Sequence, residues 1–327
     1  MRIFAYQPSY DRIAARVDEI DADITPVLIQ ADGSVQTAGV PTEIDDVQFD
    51  VAWASSELFL HGPARDAFRF LQGAQQLKWF QSGAAGFDHP MFGRIAAGGT
   101  IMTRSDAQGV SIAEYILARV LEVVRLAGES RQLQAESKWQ RQFFGDVYGT
   151  TWMIIGMGAI GNATAERAKV FGTKVIGVRR TPTGEEPADL MLQPDQVADH
   201  LADVDVVVLT TPLTDETRHM VNDGFLAGMK PGSIFVNVGR GGLVDEAALL
   251  RSLPNNQPAT AILDVFETEP LPSDSPLWQH DQVLITSHCA AESPMTWERG
   301  DDLFVENLRN YVAGTPMRLV VEGLADD

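Results

Sequence analysis

The sequence predicts an α/β protein made of two doubly wound parallel sheets. Three observations carry that prediction. Strand-like apolar runs alternate with helical patterns from end to end. At 327 residues the chain is too long for one ordinary core, so two domains are the default. One apolar run, Thr151–Ile155, leads straight into Gly156-Met157-Gly158-Ala159-Ile160-Gly161 and then a helix. That is the pattern of a βαβ unit that binds a dinucleotide.

Taken in order, the candidate strands of the first unit are residues 3–6, 27–29, 51–53, 77–82 and 100–103. A long helical segment follows over 111–126, with Ile112, Tyr115, Ile116, Val120 and Val123 at helical spacing. In the glycine turn, Gly156 permits the tight bend and Gly158 lets a pyrophosphate approach the backbone. Gly161 brings the helix close to the strand, and Ile160, Thr164, Ala168 and Phe171 continue that helix. The helix start offers N–H groups and a partial positive charge to phosphates. Residues 175–178 close the βαβ unit, and further strands are expected at 204–209, 233–238, 259–265 and 283–286. The last helix has Ser293 and Pro294 as N-cap and first residue, Phe304, Leu308 and Tyr311 on its inner face, and Gly314 at its C-terminal stop.

A hydrophobic content of 45% is that of a globular enzyme, and a formal net charge of −20 argues against nucleic-acid or anionic-membrane partners. An acidic protein that takes anionic ligands must concentrate positive charge locally. The single cysteine, Cys289, excludes an internal disulfide and a cysteine-based metal cluster; no metal site is expected. With no signal-like or membrane-spanning stretch, the expected location is cytoplasmic.

Arg179 and Arg180 follow the second strand of the βαβ unit, where an acidic residue would hold the ribose 2′-hydroxyl of NAD. Arginines there suit a 2′-phosphate, which favours NADP(H) over NAD(H). Three more features end predicted strands, where ligands of open α/β sheets bind. They are Val236-Asn237-Val238-Gly239-Arg240-Gly241-Gly242, Asp264-Val265-Phe266-Glu267-Thr268-Glu269-Pro270-Leu271, and Thr286-Ser287-His288-Cys289-Ala290. An arginine, an acidic loop and a histidine at consecutive strand ends are hard to explain as separate surface accidents.

With these motifs, in this order, the chain resembles the D-isomer-specific 2-hydroxyacid dehydrogenases over nearly its whole length. Trp53, Ser275-Pro276-Leu277-Trp278 and Glu306-Asn307-Leu308-Arg309-Asn310-Tyr311-Val312-Ala313-Gly314 add a resemblance to the glyoxylate/hydroxypyruvate reductase branch. The resemblance implies a Rossmann cofactor domain (103–288) inserted into a flavodoxin-like catalytic domain (1–102 and 289–327), with the active site in the cleft and a homodimeric assembly. It implies that Arg240 binds the substrate carboxylate and carbonyl oxygen, His288 is the general acid/base, and Glu269 is its carboxylate partner. The chemistry agrees. Hydride addition to a 2-oxo acid builds negative charge on the carbonyl oxygen, so a proton donor and a cation must be within reach.

By the same resemblance Ala84, Ala85 and Gly86, in the run from Gln81 to His89, would hold the substrate carboxylate through backbone N–H groups. Asp264 would hold the nicotinamide carboxamide, Thr211, Pro212, Val238 and Ala290 would line the cofactor, and Trp53 would wall the substrate pocket. Cys289 stands where the family usually has an aliphatic residue, and Ser287 where it has proline. The expected reaction is NADPH-dependent reduction of glyoxylate or hydroxypyruvate to the D-2-hydroxy acid, and its reverse. The alternatives are a reductase of a bulkier 2-oxo acid and a nucleotide-sensing, corepressor-like binding protein.

Overall fold

The computed structural model describes residues 1–43, 46–74, 76–87 and 90–322. Two compact units emerge, Met1–Gln108 with Ser293–Asp327, and Gly109–Glu292. In chain order, β1 (Arg2–Tyr6), β2 (Thr25–Ile29), β3 (Val35–Thr37), β4 (Val40–Thr42), β5 (Val51–Ala54), β6 (Trp79–Ser82) and β7 (Ile101–Thr103) belong to the first unit. The second unit holds β8 (Thr151–Ile155), β9 (Lys174–Val178), β10 (Leu190–Leu192), β11 (Val206–Leu209), β12 (Ile234–Asn237), β13 (Thr260–Leu263) and β14 (Val283–Ile285). The last strand, β15 (Val320–Val321), returns to the first.

The first sheet has the order β15-β7-β6-β5-β1-β2-β3-β4. Its five inner strands are parallel, while β3, β4 and β15 run antiparallel at the edges. The second sheet, β10-β9-β8-β11-β12-β13-β14, is parallel throughout. Strands such as Val206–Leu209 and Ile234–Asn237 are buried at every residue, which is why they read as unbroken apolar runs rather than alternating ones. The sequence reading did not include β3, β4, β10 and β15. β4, β10 and β15 are edge strands and β3 lies one strand in from an edge; each has only two or three residues, too short to show a period.

The closing helix, Pro294–Ala313, is capped as expected. The Ser293 hydroxyl accepts from the Met295 N–H at 3.2 Å, and Gly314 ends the helix at φ +67°. Phe304 on its inner face stacks on Trp53 at 4.5 Å and on Trp79 at 5.5 Å. Trp53 is 2% exposed and lies in this aromatic core, while it also borders a small cavity shared with Ser55, Gln81, Ser82 and Gly83. Its ring covers the sheet, and the helix covers its ring.

Residues 103–108 are tied into the first unit. Ser105 N–H donates to the Ala84 carbonyl at 3.0 Å, and Arg299 Nε to the Ala107 carbonyl at 2.9 Å. Cys289 and Ala290 are tied into the second by their N–H bonds to Asp264, each 3.0 Å. Among the described residues no helix is long and apolar enough to cross a membrane.

Candidate active site

In the second sheet β8 is followed by β9 on one side and by β11 on the other, so strand order reverses between β8 and β11. Ligands of open α/β sheets bind at the carboxyl ends of strands at such a point. The three glycines there carry distinct constraints. Gly156 has φ +110°, and a Cβ on it would sit 2.6 Å from the Thr211 nitrogen. A Cβ on Gly161 would fall on the Gly156 carbonyl oxygen. Gly158 faces open space, with nothing within 4 Å of its would-be Cβ. A ligand can therefore reach the backbone at Gly158, beside the first N–H groups of helix Ala159–Val170. Gly158 and Ala159 are exposed and Ile160 is half-buried, whereas the Met157 side chain is buried against Gly177 and leaves only its backbone at the turn. Thr211 and Pro212 follow β11, and Val238 follows β12, at the same edge. These residues form a cradle that fits a dinucleotide.

The two arginines after β9 differ. Arg179 donates to the Met157 carbonyl at 3.2 Å and pairs with Glu186 at 3.1 Å. The Glu186 side chain is 1% exposed and also accepts from Thr183 N–H, Thr183 hydroxyl and Gly184 N–H. The Thr183 amide, foremost among these donors, holds its carboxyl low, at about 2. Arg180 is 76% exposed and reaches Glu216, itself exposed, at 3.7 Å.

Asn237 ends β12 and folds the turn that presents Arg240. Its side-chain amide donates to the Arg240 carbonyl at 3.0 Å, and its oxygen accepts from Gly239 N–H at 3.1 Å. Gly241 lies so close to Phe266 that a Cβ would overlap the Phe266 backbone. The arginine turn is thus pressed against the acidic loop, and glycine is obligatory there. Arg240 itself donates to the Gly239 carbonyl at 2.8 Å.

His288 and Glu269 meet through Nδ1 and Oε2 at 2.8 Å. A carboxylate can only accept, so Nδ1 carries the proton and Nε2 is left for other chemistry. Glu269 is steadied by Phe266 N–H, which donates to its other oxygen at 3.0 Å. His288 has φ +52°, a left-handed conformation that costs a non-glycine residue on the order of 1–2 kcal/mol. Asp264 offsets that cost. Its carbonyl accepts from His288 N–H at 2.7 Å, and its buried carboxylate accepts from Cys289 N–H, Ala290 N–H and the Thr286 hydroxyl. One lone-pair direction on Oδ2 stays available to a ligand amide. Asn237 and Thr286 escaped the sequence reading as functional residues. Their signal was there: each is a polar residue at or just beyond the end of an apolar strand.

In the first unit Gly83 packs on the backbone of residues 54–56, where a Cβ would have no room. Ala84 N–H donates to the Ser82 hydroxyl at 3.0 Å. Ala85 and Gly86 donate to no acceptor among the described residues, which narrows the expected anion grip to these two. Asp88 and His89, at the end of this segment, lie outside the described residues.

Comparison with known proteins gives the family. Residues 117–290 match the sequence model of the "D-isomer specific 2-hydroxyacid dehydrogenase, NAD binding domain". A glyoxylate reductase of Korarchaeum cryptofilum is 36% identical over 208 residues, 62% of this chain and 63% of that protein. A D-3-phosphoglycerate dehydrogenase of Mycobacterium tuberculosis is 32% identical over 247 residues, 75% of this chain and 47% of that protein. The chain thus spans about half the length of the phosphoglycerate dehydrogenases it matches. A solved D-isomer specific 2-hydroxyacid dehydrogenase of Xanthobacter autotrophicus, in complex with NADPH and MES, superposes with a TM-score of 0.74. It is 27% identical, and the match covers 98% of this chain and 97% of that one. The chain belongs to the D-isomer specific 2-hydroxyacid dehydrogenase family.

Proposed function

We propose that this protein is a cytoplasmic reductase of small 2-oxo acids, glyoxylate or hydroxypyruvate, that forms the D-2-hydroxy acid with NADPH and runs in reverse with the oxidised cofactor. The observation that carries the reading is the His288–Glu269 pair, which leaves the histidine Nε2 uncommitted at a strand end of the cofactor sheet. The nicotinamide, when bound, supplies the hydride in reduction and takes it up in oxidation. His288 protonates the developing alkoxide from Nε2 and takes that proton back in the reverse reaction. Glu269 holds the ring through Nδ1 and stabilises the imidazolium. Arg240 neutralises the substrate carboxylate and the growing charge on the carbonyl oxygen. Ala85 and Gly86 add backbone donors to the carboxylate, and Asp264 accepts from the carboxamide at its remaining lone pair.

Preference for NADPH rests on Arg180. Its exposed guanidinium is opposed by an exposed glutamate at 3.7 Å, so a 2′-phosphate competes with a weak pair. Arg179, braced by Glu186, shapes the loop that receives it. The NADPH named with the Xanthobacter relative supports this choice. Homodimer formation is supported by Trp139 and Phe143, which are 99% and 98% exposed after helix Ala127–Ala135.

The test is a panel of 2-oxo acids with NADPH and NADH, read by nicotinamide absorbance. It should include bulkier acids and the oxidation of 3-phosphoglycerate. Glyoxylate or hydroxypyruvate should give the highest kcat/KM. Arg180→Ala should lower kcat/KM for NADPH by roughly tenfold or more while leaving NADH little changed, because a charge-assisted bond is worth about 1.5–3 kcal/mol. Equal use of both cofactors by the wild type would remove the NADPH assignment.

A further inference from the structure

The side chains that hold His288 extend beyond Asp264. Thr286 donates its hydroxyl proton to Asp264 Oδ1 at 2.5 Å, and its oxygen lies 2.6 Å from the Tyr115 hydroxyl. A hydroxyl has a single proton, and a carboxylate can only accept. Thr286 has therefore committed its proton to Asp264, and Tyr115 must be the donor to Thr286. The direction of the chain is fixed: Tyr115 to Thr286 to Asp264. Burial, and then the nearby Asp264 charge, raise the Tyr115 hydroxyl above its ordinary range, so it keeps the proton that this direction requires. The Arg119 guanidinium lies over the Tyr115 ring, 5.4 Å from its centroid, and fixes the outer end.

Three segments are joined in this way: the helix Gly109–Val124, the residue just after β14, and the residue just after β13. All three converge on the turn that keeps His288 in its left-handed conformation. We infer that Tyr115 and Thr286 are positioning residues, which aim the Asp264 carboxylate at the N–H groups of Cys289 and Ala290 and thereby set the direction of the His288 imidazole. Neither residue touches the reacting atoms. Their effect reaches the chemistry through the backbone of the turn, as outer hydrogen bonds orient a metal-bound histidine. The inference rests on the proposed role of His288, and Cys289 supplies a readout that does not.

Thr286→Val removes both hydrogen bonds at nearly constant volume, and Thr286→Ser restores them. In 2-oxo acid reduction by the full chain, Thr286→Val should lower kcat about 10- to 100-fold, since a hydrogen bond to a charged group is worth that factor. KM for the 2-oxo acid should change less than about threefold, and Thr286→Ser should recover kcat to within about threefold. Cys289, the only cysteine of the chain, reports the order of the turn without any turnover. Its alkylation by iodoacetamide in the cofactor-free protein should be about fivefold faster in Thr286→Val and should return to the wild-type rate in Thr286→Ser. Tyr115→Phe, the milder variant, tests the outer link if Thr286→Val does not fold. It should show the same two changes at about threefold.

Wild-type kcat and labelling in Thr286→Val, or a serine variant as impaired as the valine one, would overturn the relay. If the wild type reduces no 2-oxo acid, the functional reading fails and the Cys289 labelling rates alone decide the relay.

Discussion

The acidic loop after β13 carries two histidine–carboxylate pairs that look alike and are built to different ends. His288 meets Glu269 at 2.8 Å, and His219 meets Glu267 at 2.7 Å. Both histidines are left-handed, at φ +52° and +50°, and their side chains are 53% and 48% exposed. The difference is the nitrogen used. His288 engages its carboxylate through Nδ1, near the backbone, and presents Nε2 outward. His219 commits Nε2, its far nitrogen, to Glu267. The first pair presents its far nitrogen to a ligand, whereas the second leaves only Nδ1, the nitrogen nearest its own backbone. The second works as a brace: His219 N–H donates to the Gly242 carbonyl at 2.9 Å, and Glu267 N–H to Glu246 at 2.7 Å. Distance alone does not single out a catalytic pair; the nitrogen left over does.

The sharpest way to break this comparison is to remove each imidazole. His288→Ala should lose about 100- to 10,000-fold in kcat for both directions, the range of general acid/base catalysis. His219→Gln should stay within about threefold, because a half-exposed ion pair contributes roughly 0–1 kcal/mol. Turnover measured with saturating cofactor decides it. Comparable losses in the two variants would show that the nitrogen rule is wrong.

The glutamates should separate in turnover. Glu269→Gln keeps the size of the side chain but replaces the charged hydrogen bond at Nδ1 that orients the His288 ring, so kcat should fall about 10- to 100-fold, the worth of a hydrogen bond to a charged group. Glu267→Gln should stay within about threefold. Wild-type turnover in Glu269→Gln, or an equal loss in Glu267→Gln, would dissolve the distinction.

How much of this was legible beforehand follows from what each element depends on. The buried strands and the capped closing helix were readable because local composition dictates them: Val206–Leu209 is apolar throughout, and Ser293, Pro294 and Gly314 punctuate the last helix. The glycine turn was readable because each glycine answers a steric demand. A tryptophan near a strand end suits a pocket and a core equally well, and the core side of Trp53 is supplied by Phe304, some 250 residues later. Arg179 and Arg180 are alike as a dipeptide, and Glu186 separates them from beyond an intervening turn. Thr286 and Tyr115 stand far apart in sequence, and their bond exists only once the long helix packs beside β14. Local rules show in a sequence; partners chosen by packing do not.

The smallest expected effect comes from Glu246, which holds the brace in place. Its carboxylate is half-buried and accepts Glu267 N–H, while burial, and to a lesser degree the Glu267 charge, raise it above the ordinary value of 4.5. A carboxyl raised on folding binds its proton more tightly in the native state than in the unfolded chain. Stability is therefore lost as pH rises through the raised value, and it is recovered as pH falls back toward 4.5. Glu246→Gln keeps an oxygen for the Glu267 N–H and removes the disfavoured charge. It should stabilise the protein near pH 7 by less than about 1 kcal/mol, a small figure because half of the side chain stays in water. The gain should shrink as the pH is lowered toward the ordinary glutamate range. Urea unfolding of the wild type and of Glu246→Gln at several pH values measures it, and kcat taken alongside tests the comparison. A stabilised variant with unchanged turnover is the result expected of a brace. A variant with altered turnover would tie the His219 side of the loop to the reaction and merge the two pairs into one site.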